Sequence, residues 1–283
     1  MSNSKRKYIN CGDRLVDISA PVTMGILNIT PDSFYDGGKY LNEESVLHHV
    51  NKMLEDGAAI IDIGAQSTRP RAGLIDAEEE WERLNPLLKI LRDKFPAAIF
   101  SVDTFYSIVA EKAIDNGADI INDISAGTID EKMYDIIIRY KIPYIIMHMQ
   151  GTPQTMQENP LYKKIVNDIM DFLIGKIKTL TDKGVYDIII DPGFGFGKTL
   201  EHNYELLYSL ELFNMLERPI MAGFSRKSMI SKVLNAKTND ALNGTTVLNT
   251  IALMKGVNIL RVHDVKEAVE SIKIFNKYSI IIF

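Results

Sequence analysis

Polar and charged side chains recur along this chain at one kind of place, the end of a short apolar run. Asp103 and Asp191 end two such runs, and Arg261 and His263 alternate along a third, so both can point in one direction. Cationic side chains donate charge-assisted hydrogen bonds to phosphate or carboxylate groups. The sequence therefore predicts an enzyme with an anion-binding site. Other polar residues in equivalent positions are Asn28, Asp62, Asn122, Asp123 and His148, and a further run leads into Ser225, Arg226, Lys227 and Ser228.

A single aspartate or asparagine at such a position more often caps the following helix than takes part in chemistry. Eight runs that all lead into polar residues favour a shared functional site instead. We expect Asp62 and Asp123 to be structural, because each has a better-placed neighbour or lies one step away in the alternation of its strand.

The apolar runs are the strands expected to position these residues. Four of them follow a glycine, Gly57, Gly117, Gly184 or Gly256, at which a preceding helix is expected to end. The segments between the runs mostly have the spacing of amphipathic helices, as from Ala77 to Leu91. Eight strand and helix units in about 250 residues are typical of a closed parallel barrel.

We therefore predict an α/β fold, a (β/α)8 TIM barrel that occupies residues 1–283 as a single domain. An open doubly wound sheet is the alternative architecture. The segment from Tyr8 to Ile18 is predicted to form an N-terminal β-hairpin that closes the bottom of the barrel. The loops after the strands of such a barrel converge, which places the polar residues at one end.

Composition limits the classes of function. The chain has 283 residues, 46% hydrophobic and 24% charged, which suffices for one large core. Its net charge of -5 and its scattered basic residues do not predict nucleic-acid binding. Cys11 is the single cysteine, which excludes an intramolecular disulfide and fits a reducing cytoplasm. No apolar run approaches the roughly 18 residues of a membrane span, so we expect a cytoplasmic protein that binds no membrane.

The glycine-rich segment DPGFGFGKT (191–199) invites a nucleotide-binding interpretation that its spacing excludes. A phosphate-binding loop has four residues between its first glycine and the Gly-Lys-Thr group, whereas three separate Gly193 from Gly197. The dinucleotide-binding fingerprint needs a third glycine where this segment has Lys198. The segment must therefore have another role.

Seven motifs spread over nearly the whole chain are TMGILNITPDSFYDGG (23–38), DIGAQSTRP (62–70), SVDT (101–104), INDIS (121–125), DPGFGFGKT (191–199), GFSRKS (223–228) and RVHDV (261–265). In content and order they resemble the dihydropteroate synthases. The resemblance implies a transferase of folate biosynthesis that joins a dihydropterin-methyl diphosphate to 4-aminobenzoate and releases diphosphate. It also implies Mg²⁺ as cofactor, a homodimer and inhibition by sulfonamides.

By this resemblance, Asp191 accepts hydrogen bonds from the amino and N–H edge of the pterin ring, as a carboxylate does from arginine. Lys227 would donate to the ring carbonyl, and Met147 would pack on one face of the ring. Asp103 and Asn122 would complete the polar lining.

The same resemblance assigns the diphosphate to Arg261 and His263, and a contact with Mg²⁺ to the amide oxygen of Asn28. Ser228 would bind the aminobenzoate carboxylate, and Phe196 would line the aminobenzoate side. The loops after the first two strands, predicted to be mobile lids over residues 30–41 and 65–75, would contribute Asp36, Thr68 and Arg69.

The amine of an arylamine is neutral at pH 7, so the implied reaction needs no pair of nucleophile and base. Ionisation to a pterin-methyl cation and direct displacement would be promoted by the same electrostatic groups. The residues to which we assign this catalysis are Asp36, Asp103, Lys227, Arg261 and His263.

Three alternative functions are compatible with parts of the sequence. A methyltetrahydrofolate-dependent methyltransferase would share the barrel and the pterin contacts but would not need Arg261 and His263 as a diphosphate site. An aldolase could form a Schiff base on Lys227. A catalytically silent pterin-binding paralogue would keep the pocket alone. The resemblance is incomplete at Gln66, where many relatives carry glutamate, which leaves the charge of the second loop open.

Overall fold

The computed structural model describes residues 8–12, 14–29, 35–36, 40–66, 73–237 and 240–280. Two strands, β1 (Tyr8–Cys11) and β2 (Arg14–Asp17), form an antiparallel hairpin at the N-terminus, and two shorter ones, β4 (Tyr35–Asp36) and β5 (Tyr40–Leu41), pair in the first loop. The parallel strands are β3 (Val22–Asn28), β6 (Ile60–Gly64), β7 (Phe100–Asp103), β8 (Ile120–Asp123), β9 (Tyr144–Met147), β10 (Ile188–Asp191), β11 (Met221–Ala222) and β12 (Ile259–Val262).

The parallel strands lie side by side in sequence order, and β12 pairs with β3. The ring closes between β10 and β11, where the Ile190 N–H donates to the Pro219 carbonyl at 2.9 Å and a single bridge joins Ile190 to Ile220. Because β11 has only two residues, this seam is the thinnest part of the barrel. The closure confirms the predicted (β/α)8 barrel and excludes the open sheet.

Helices alternate with the strands and cover the outside of the barrel, as strands buried on both faces require. The predicted helix from Ala77 to Leu91 continues to Lys94, and the Asp76 carboxylate caps it by accepting N–H groups of its first turn. No helix in the described ranges is both long and apolar enough to cross a membrane. The helices are α1 (Glu43–Glu55), α2 (Ala77–Lys94), α3 (Ser107–Asp115), α4 (Met133–Tyr140), α5 (Ile165–Asp182), α6 (Leu200–Tyr208), α7 (Ser228–Leu234), α8 (Leu242–Met254) and α9 (Val265–Ile280), with a 3-10 helix (Leu210–Leu216) after α6.

The barrel interior has an apolar lower layer. Successive side chains of a strand point to opposite faces, so every second residue faces inward. The inward residues of the lower layer are Met24, Ile60, Ile99, Ile120, Ile145, Ile189, Met221 and Ile259. The hairpin residues that pack against this layer are Ile9, Cys11, Val16 and Ile18. The hairpin therefore closes the bottom of the barrel, as predicted.

A group of charged residues fastens the hairpin to the barrel. Arg14 of β2 and Arg92 of α2 both donate to the Asp119 carboxylate, with Arg92 Nη2 2.6 Å from Oδ2. The same oxygen accepts the Phe100 N–H at 2.8 Å. Because the Asp119 side chain is buried, its charge would be costly without these donors.

Candidate functional site

The polar residues of the site form the layer directly above the apolar one. On β6, Ile60 packs inside the barrel whereas Ile61 and Ile63 belong to the core outside it, so Asp62 faces inward. The same alternation turns the corresponding residues of four other strands inward. They are Asn122 of β8, Met147 of β9, Asp191 of β10 and Arg261 of β12.

Arg261 connects the carboxylates of two strands. Its Nε donates to Asp62 Oδ2 at 2.7 Å, and its Nη2 lies 2.6 Å from the same oxygen and 2.8 Å from Asp103 Oδ2. Asn122 Nδ2 also donates to Asp62 Oδ2, at 3.0 Å. One guanidinium therefore compensates two buried carboxylates, which would otherwise repel each other.

The two carboxylates are not fully compensated by Arg261. Burial raises the pKa of Asp103 to about 7; Arg261 lowers it, and Asp62 and Asp191 raise it. Asp62 Oδ1 is buried and has no hydrogen-bond partner. Since an unpaired buried acceptor is costly, a ligand that donates to Asp62 or Asp103 would be favoured here.

Asp191 and Lys227 supply a second pair of opposite charges. Asp191 Oδ1 accepts the Gly193 N–H at 2.7 Å. Lys227 Nζ donates to the Phe194 carbonyl and lies 4.7 Å from the centre of the Phe196 ring. Burial lowers the pKa of Lys227 to about 8, and Asp191 opposes this change. Burial also raises the pKa of Asp191, which Lys227 lowers.

An apolar wall borders these charged groups. Met147 forms a separate buried cluster with Phe105 and Ile124, and the partly buried Tyr106 and Phe196 pack against it. A planar heterocycle could place its face on this wall and its edge on the carboxylates. Sequence reasoning missed Phe105 and Ile124, although Ile124 directly follows β8 and Phe105 lies two residues after the end of β7.

Asn28 and His263 lie at the carboxyl ends of neighbouring strands. A side chain at Gly64 would place its Cβ 3.6 Å from Asn28 Oδ1 and 3.5 Å from Asp103 Cβ, so Asn28 and Asp103 border one space. His263 Nδ1 lies 3.0 Å from Ser225 Oγ, which also accepts the His263 backbone N–H at 3.2 Å. The absence of a side chain at Gly64 keeps this space free.

The rim of the site is more exposed. Ser228 begins α7 and is exposed. Arg226 pairs with Asp264, with Nη2 2.6 Å from Oδ1 and Nε 3.2 Å from Oδ2. The Asp264 carboxylate therefore ties the start of α9 to the loop after β11.

Comparison with known proteins decides between the enzyme classes that such a pocket could serve. Residues 24–263 match the family described as pterin binding enzyme. The chain belongs to the pterin-binding enzyme family. Dihydropteroate synthase of Haemophilus influenzae is 42% identical over 265 residues, which cover 93% of this chain and 96% of that relative.

Solved structures of the same family share the whole fold. A Yersinia pestis dihydropteroate synthase, solved as a complex with a sulfonamide drug, has a TM-score of 0.90 at 39% identity and covers 96% of this chain and 99% of its own. A Xanthomonas albilineans dihydropteroate synthase in complex with 7,8-dihydropteroate has a TM-score of 0.86 at 31% identity, with coverage of 96% and 98%. The chain is thus similar to pterin-binding enzymes along nearly its full length.

Most of the residues predicted for a pterin-binding site come together in the pocket. Thr68 and Arg69 lie outside the described residues, as do the Asp36 side chain and most of the two loops predicted to be lids. The predicted residues that line the barrel interior or the adjoining wall are Asp103, Asn122, Met147, Asp191, Phe196, Lys227 and Arg261, whereas Asn28, Ser228 and His263 lie nearer the rim.

Asp62 and Asp123, both expected to be structural, have different surroundings. Asp123 accepts the Ser125 and Gly127 N–H groups, each at 2.7 Å, and the Tyr144 hydroxyl at 2.6 Å, so it stabilises the turn after β8. Asp62 instead faces the pocket and binds Arg261. Part of the reasoning behind that expectation fails for Asp62, because its position on β6 has the same parity as the inward-facing Ile60.

Gln66 and Glu80 lie behind the pocket. Gln66 Oε1 accepts the Ile75 N–H at 2.8 Å, which ties together the two ends of the second loop. Glu80 lies four residues before Leu84 on the buried side of α2, a spacing that could have revealed it in the sequence. Both carboxylate oxygens of Glu80 are buried, and the Thr104 side chain is the polar group that faces them. Burial raises its pKa to about 8, and the nearby Asp103 adds to the rise.

Glu80→Gln is expected to change how stability depends on pH. A carboxyl with a raised pKa in the folded state stabilises the fold below its unfolded value of 4.5, and this stabilisation is lost as pH rises toward 8. Urea unfolding should therefore show wild-type stability falling by up to about 1.4 kcal/mol per pH unit between these values relative to Glu80→Gln. Glu79→Gln, on the exposed side of the same turn, is the control. Parallel stability curves for wild type and Glu80→Gln would contradict this assignment.

Proposed function

We propose that this chain is a dihydropteroate synthase that joins a dihydropterin-methyl diphosphate to 4-aminobenzoate and releases diphosphate. The observation that carries the proposal is the buried layer in which Arg261 and Lys227 balance Asp62, Asp103 and Asp191 beside an apolar wall. A pterin has a flat face and an edge of hydrogen-bond donors, which this combination fits. The relative in complex with 7,8-dihydropteroate supports the same class of ligand.

The pterin ring is proposed to lie between the two pairs of charges. The Gly193 N–H binds Asp191 Oδ1 and orients that carboxylate, so its other oxygen is directed to the amino and N–H edge of the ring. Lys227 donates to the ring carbonyl, and Met147 packs on one face. Asn122 completes the lining next to Asp62.

The diphosphate is proposed to bind near Arg261 and His263, which are two residues apart and therefore about 7 Å apart along the strand direction. Diphosphate oxygens would compete with Asp62 and Asp103 for the guanidinium, since all are anionic acceptors. Release of Asp103 from Arg261 would leave its carboxylate beside the reacting methylene. The guanidinium would stabilise the negative charge that develops on the leaving group.

Mg²⁺ is proposed to arrive with the diphosphate. Asn28 fits it, because an amide oxygen is a hard ligand and this one borders the same space as Asp103. A single protein ligand binds magnesium weakly, so phosphate oxygens and water would complete the coordination. The ion would supply positive charge to the departing diphosphate.

Catalysis is proposed to be electrostatic and positional. The bond from the methylene carbon to the diphosphate oxygen breaks, a bond to the arylamine nitrogen forms, and that nitrogen loses one proton. Asp103 and Asp36 would stabilise positive charge on the pterin methylene. Phe196 and Ser228 would contact the aminobenzoate, and the second loop would contribute Thr68 and Arg69.

We also propose a homodimer. Exposed large apolar side chains lie on the 3-10 helix, α7 and α8, and the ion pair of Lys255 with Glu211, at 2.8 Å, joins the end of α8 to the 3-10 helix. Exposed apolar side chains on neighbouring elements are typical of protein interfaces. Those proposed to form the interface are Leu212, Met215, Val233, Leu234, Val247 and Met254.

Sedimentation velocity is expected to show a dimer for the unmodified chain and a monomer for a Met215→Glu, Met254→Glu double variant, since buried charges oppose association. Ile174→Glu, an exposed apolar position on α5, is the control and should remain dimeric. Sedimentation of the unmodified chain as a monomer at micromolar concentration would contradict the proposed dimer.

A turnover assay tests the proposed reaction. Diphosphate release should require the dihydropterin-methyl diphosphate, 4-aminobenzoate and Mg²⁺ together, and a sulfonamide should raise the apparent KM for 4-aminobenzoate. Pterin binding without diphosphate release at saturating substrates would favour a silent paralogue.

Substitutions should separate the two halves of the pocket. Asp191→Asn turns an amide donor toward the ring donors, so affinity for a non-phosphorylated pterin should fall about tenfold to a hundredfold, with pyrophosphate binding retained. Arg261→Ala should mainly weaken magnesium pyrophosphate binding and reduce turnover. Arg226→Ala, which removes an exposed arginine at the same end of the barrel, is the control. Calorimetric titration with each ligand measures both effects, and wild-type pterin affinity in Asp191→Asn would refute the assignment of Asp191.

A further inference from the structure

The turn between β10 and α6 contains a buried lysine to which the proposed reaction gives no role. Lys198 is 3% exposed, and its side chain points into the turn to which it belongs. Its Nζ lies 2.7 Å from the Gly193 carbonyl and 3.0 Å from the Phe196 carbonyl. It also lies 3.3 Å from the carbonyl and 3.2 Å from the Nδ1 of His148, at the end of β9. The ammonium therefore occupies the centre of the turn.

The turn has one compact conformation around this ammonium. A Cβ at Gly193 would lie 2.0 Å from the His148 carbonyl oxygen, so that position requires glycine and close contact with β9. Gln157 donates to the Gly195 carbonyl at 2.6 Å, and Asn203 Oδ1 accepts the Gly195 N–H at 2.7 Å. These contacts hold the turn from outside, whereas Lys198 holds it from within.

Lys198 contacts the carbonyl groups of two residues, Gly193 and Phe196, that also contact the side chains proposed to recognise the pterin. The Gly193 carbonyl accepts a hydrogen bond from Lys198, and the Gly193 N–H donates to Asp191. The Phe196 carbonyl accepts from Lys198, and the Phe196 ring contacts the Lys227 ammonium. The Lys198 ammonium is thus one residue removed from both charged groups proposed to bind the ring.

We propose that Lys198 is a positioning residue for pterin recognition, which acts through its hydrogen bonds to the Gly193 and Phe196 carbonyls to fix the backbone of the turn and so orient Asp191 and Lys227. The inference rests on the proposed function for the identity of the ligand. Lys198 itself touches no substrate. Its effect is directed to the pterin half of the pocket, because its partners belong to β9, β10 and their turns and none belongs to β12.

The charges around Lys198 agree with this role. The titratable groups that face it are His148 from β9, Asp191 from β10 and Lys227 from the loop after β11. Burial lowers the pKa of Lys198 to about 7, Asp191 raises it, and Lys227 lowers it. Burial and the neighbouring Lys198 lower the pKa of His148 to about 3, so His148 is neutral and its Nδ1 can accept from the ammonium. Loss of the Lys198 proton would remove one donor from the turn.

Two variants test the proposal by ligand affinity. Lys198→Met removes the donors and the charge, whereas Lys198→Gln retains an amide donor without charge. Calorimetry with 6-hydroxymethylpterin should show about a tenfold or larger loss of affinity in Lys198→Met and a smaller loss in Lys198→Gln. Affinity for magnesium pyrophosphate should stay within about twofold of wild type in both. Lys176→Met, which removes a half-buried lysine of α5 outside the pocket, is the control and should bind both ligands as wild type does.

The pH dependence provides a readout that a general loss of stability would not imitate. In wild type, pterin affinity should fall as pH rises through the lowered pKa values of Lys198 and Lys227, because each lysine then loses a proton. In Lys198→Met the fall should be smaller, because only Lys227 still contributes to it.

Three results would overturn the proposal. The first is wild-type pterin affinity in a folded Lys198→Met variant, and the second is an equal loss of pterin and pyrophosphate affinity. The third is failure of both variants to fold. Pterin binding by the unmodified chain without diphosphate release would contradict the proposed synthase function and leave this test intact, because the test measures binding alone.

Discussion

The site depends on the sharing of one guanidinium by two buried carboxylates. Without Arg261, the Asp62 and Asp103 carboxylates would lie together inside the barrel without the guanidinium that compensates both, and their mutual repulsion would oppose folding. With it, the pocket stays charged yet nearly balanced before any ligand enters. The arrangement also makes Arg261 available to an incoming anion, because its present partners can be replaced by others of the same charge.

The strand alternation places this charged layer where it can be tolerated. Every second residue of a barrel strand faces inward, so an apolar level near the amino ends and a polar level near the carboxyl ends follow from the order of residues in each strand. The hairpin seals the apolar level from below, and Asp119 fastens it to the barrel wall. Stability and recognition are therefore assigned to opposite ends of the same strands, and substitutions in one need not disturb the other.

Much of this could be read from the sequence. Glycines before apolar runs marked the strand and helix units, and polar residues at strand ends marked Asp103, Asp191 and Arg261. The inward direction of Asp62 was missed because it requires the parity of Ile60, which is fixed only when the strands pair. The partners of Lys198 could not be predicted at all, since three carbonyl groups from two separate turns meet its ammonium only in the folded chain. Side-chain identity thus indicated where chemistry occurs, and tertiary contacts determined which groups cooperate.

Because the strand β11 at the seam of the barrel has only two residues, ligand binding across this seam also affects the stability of the barrel wall. Asp191 lies on one side of that seam and Lys227 on the other, so a heterocycle that contacts both bridges the weakest joint of the ring. Binding of such a ligand therefore also stabilises the barrel wall, because part of the binding energy opposes local opening of the seam. An inhibitor that contacts only one side of the seam would not stabilise the barrel wall against local opening, however tightly the inhibitor bound.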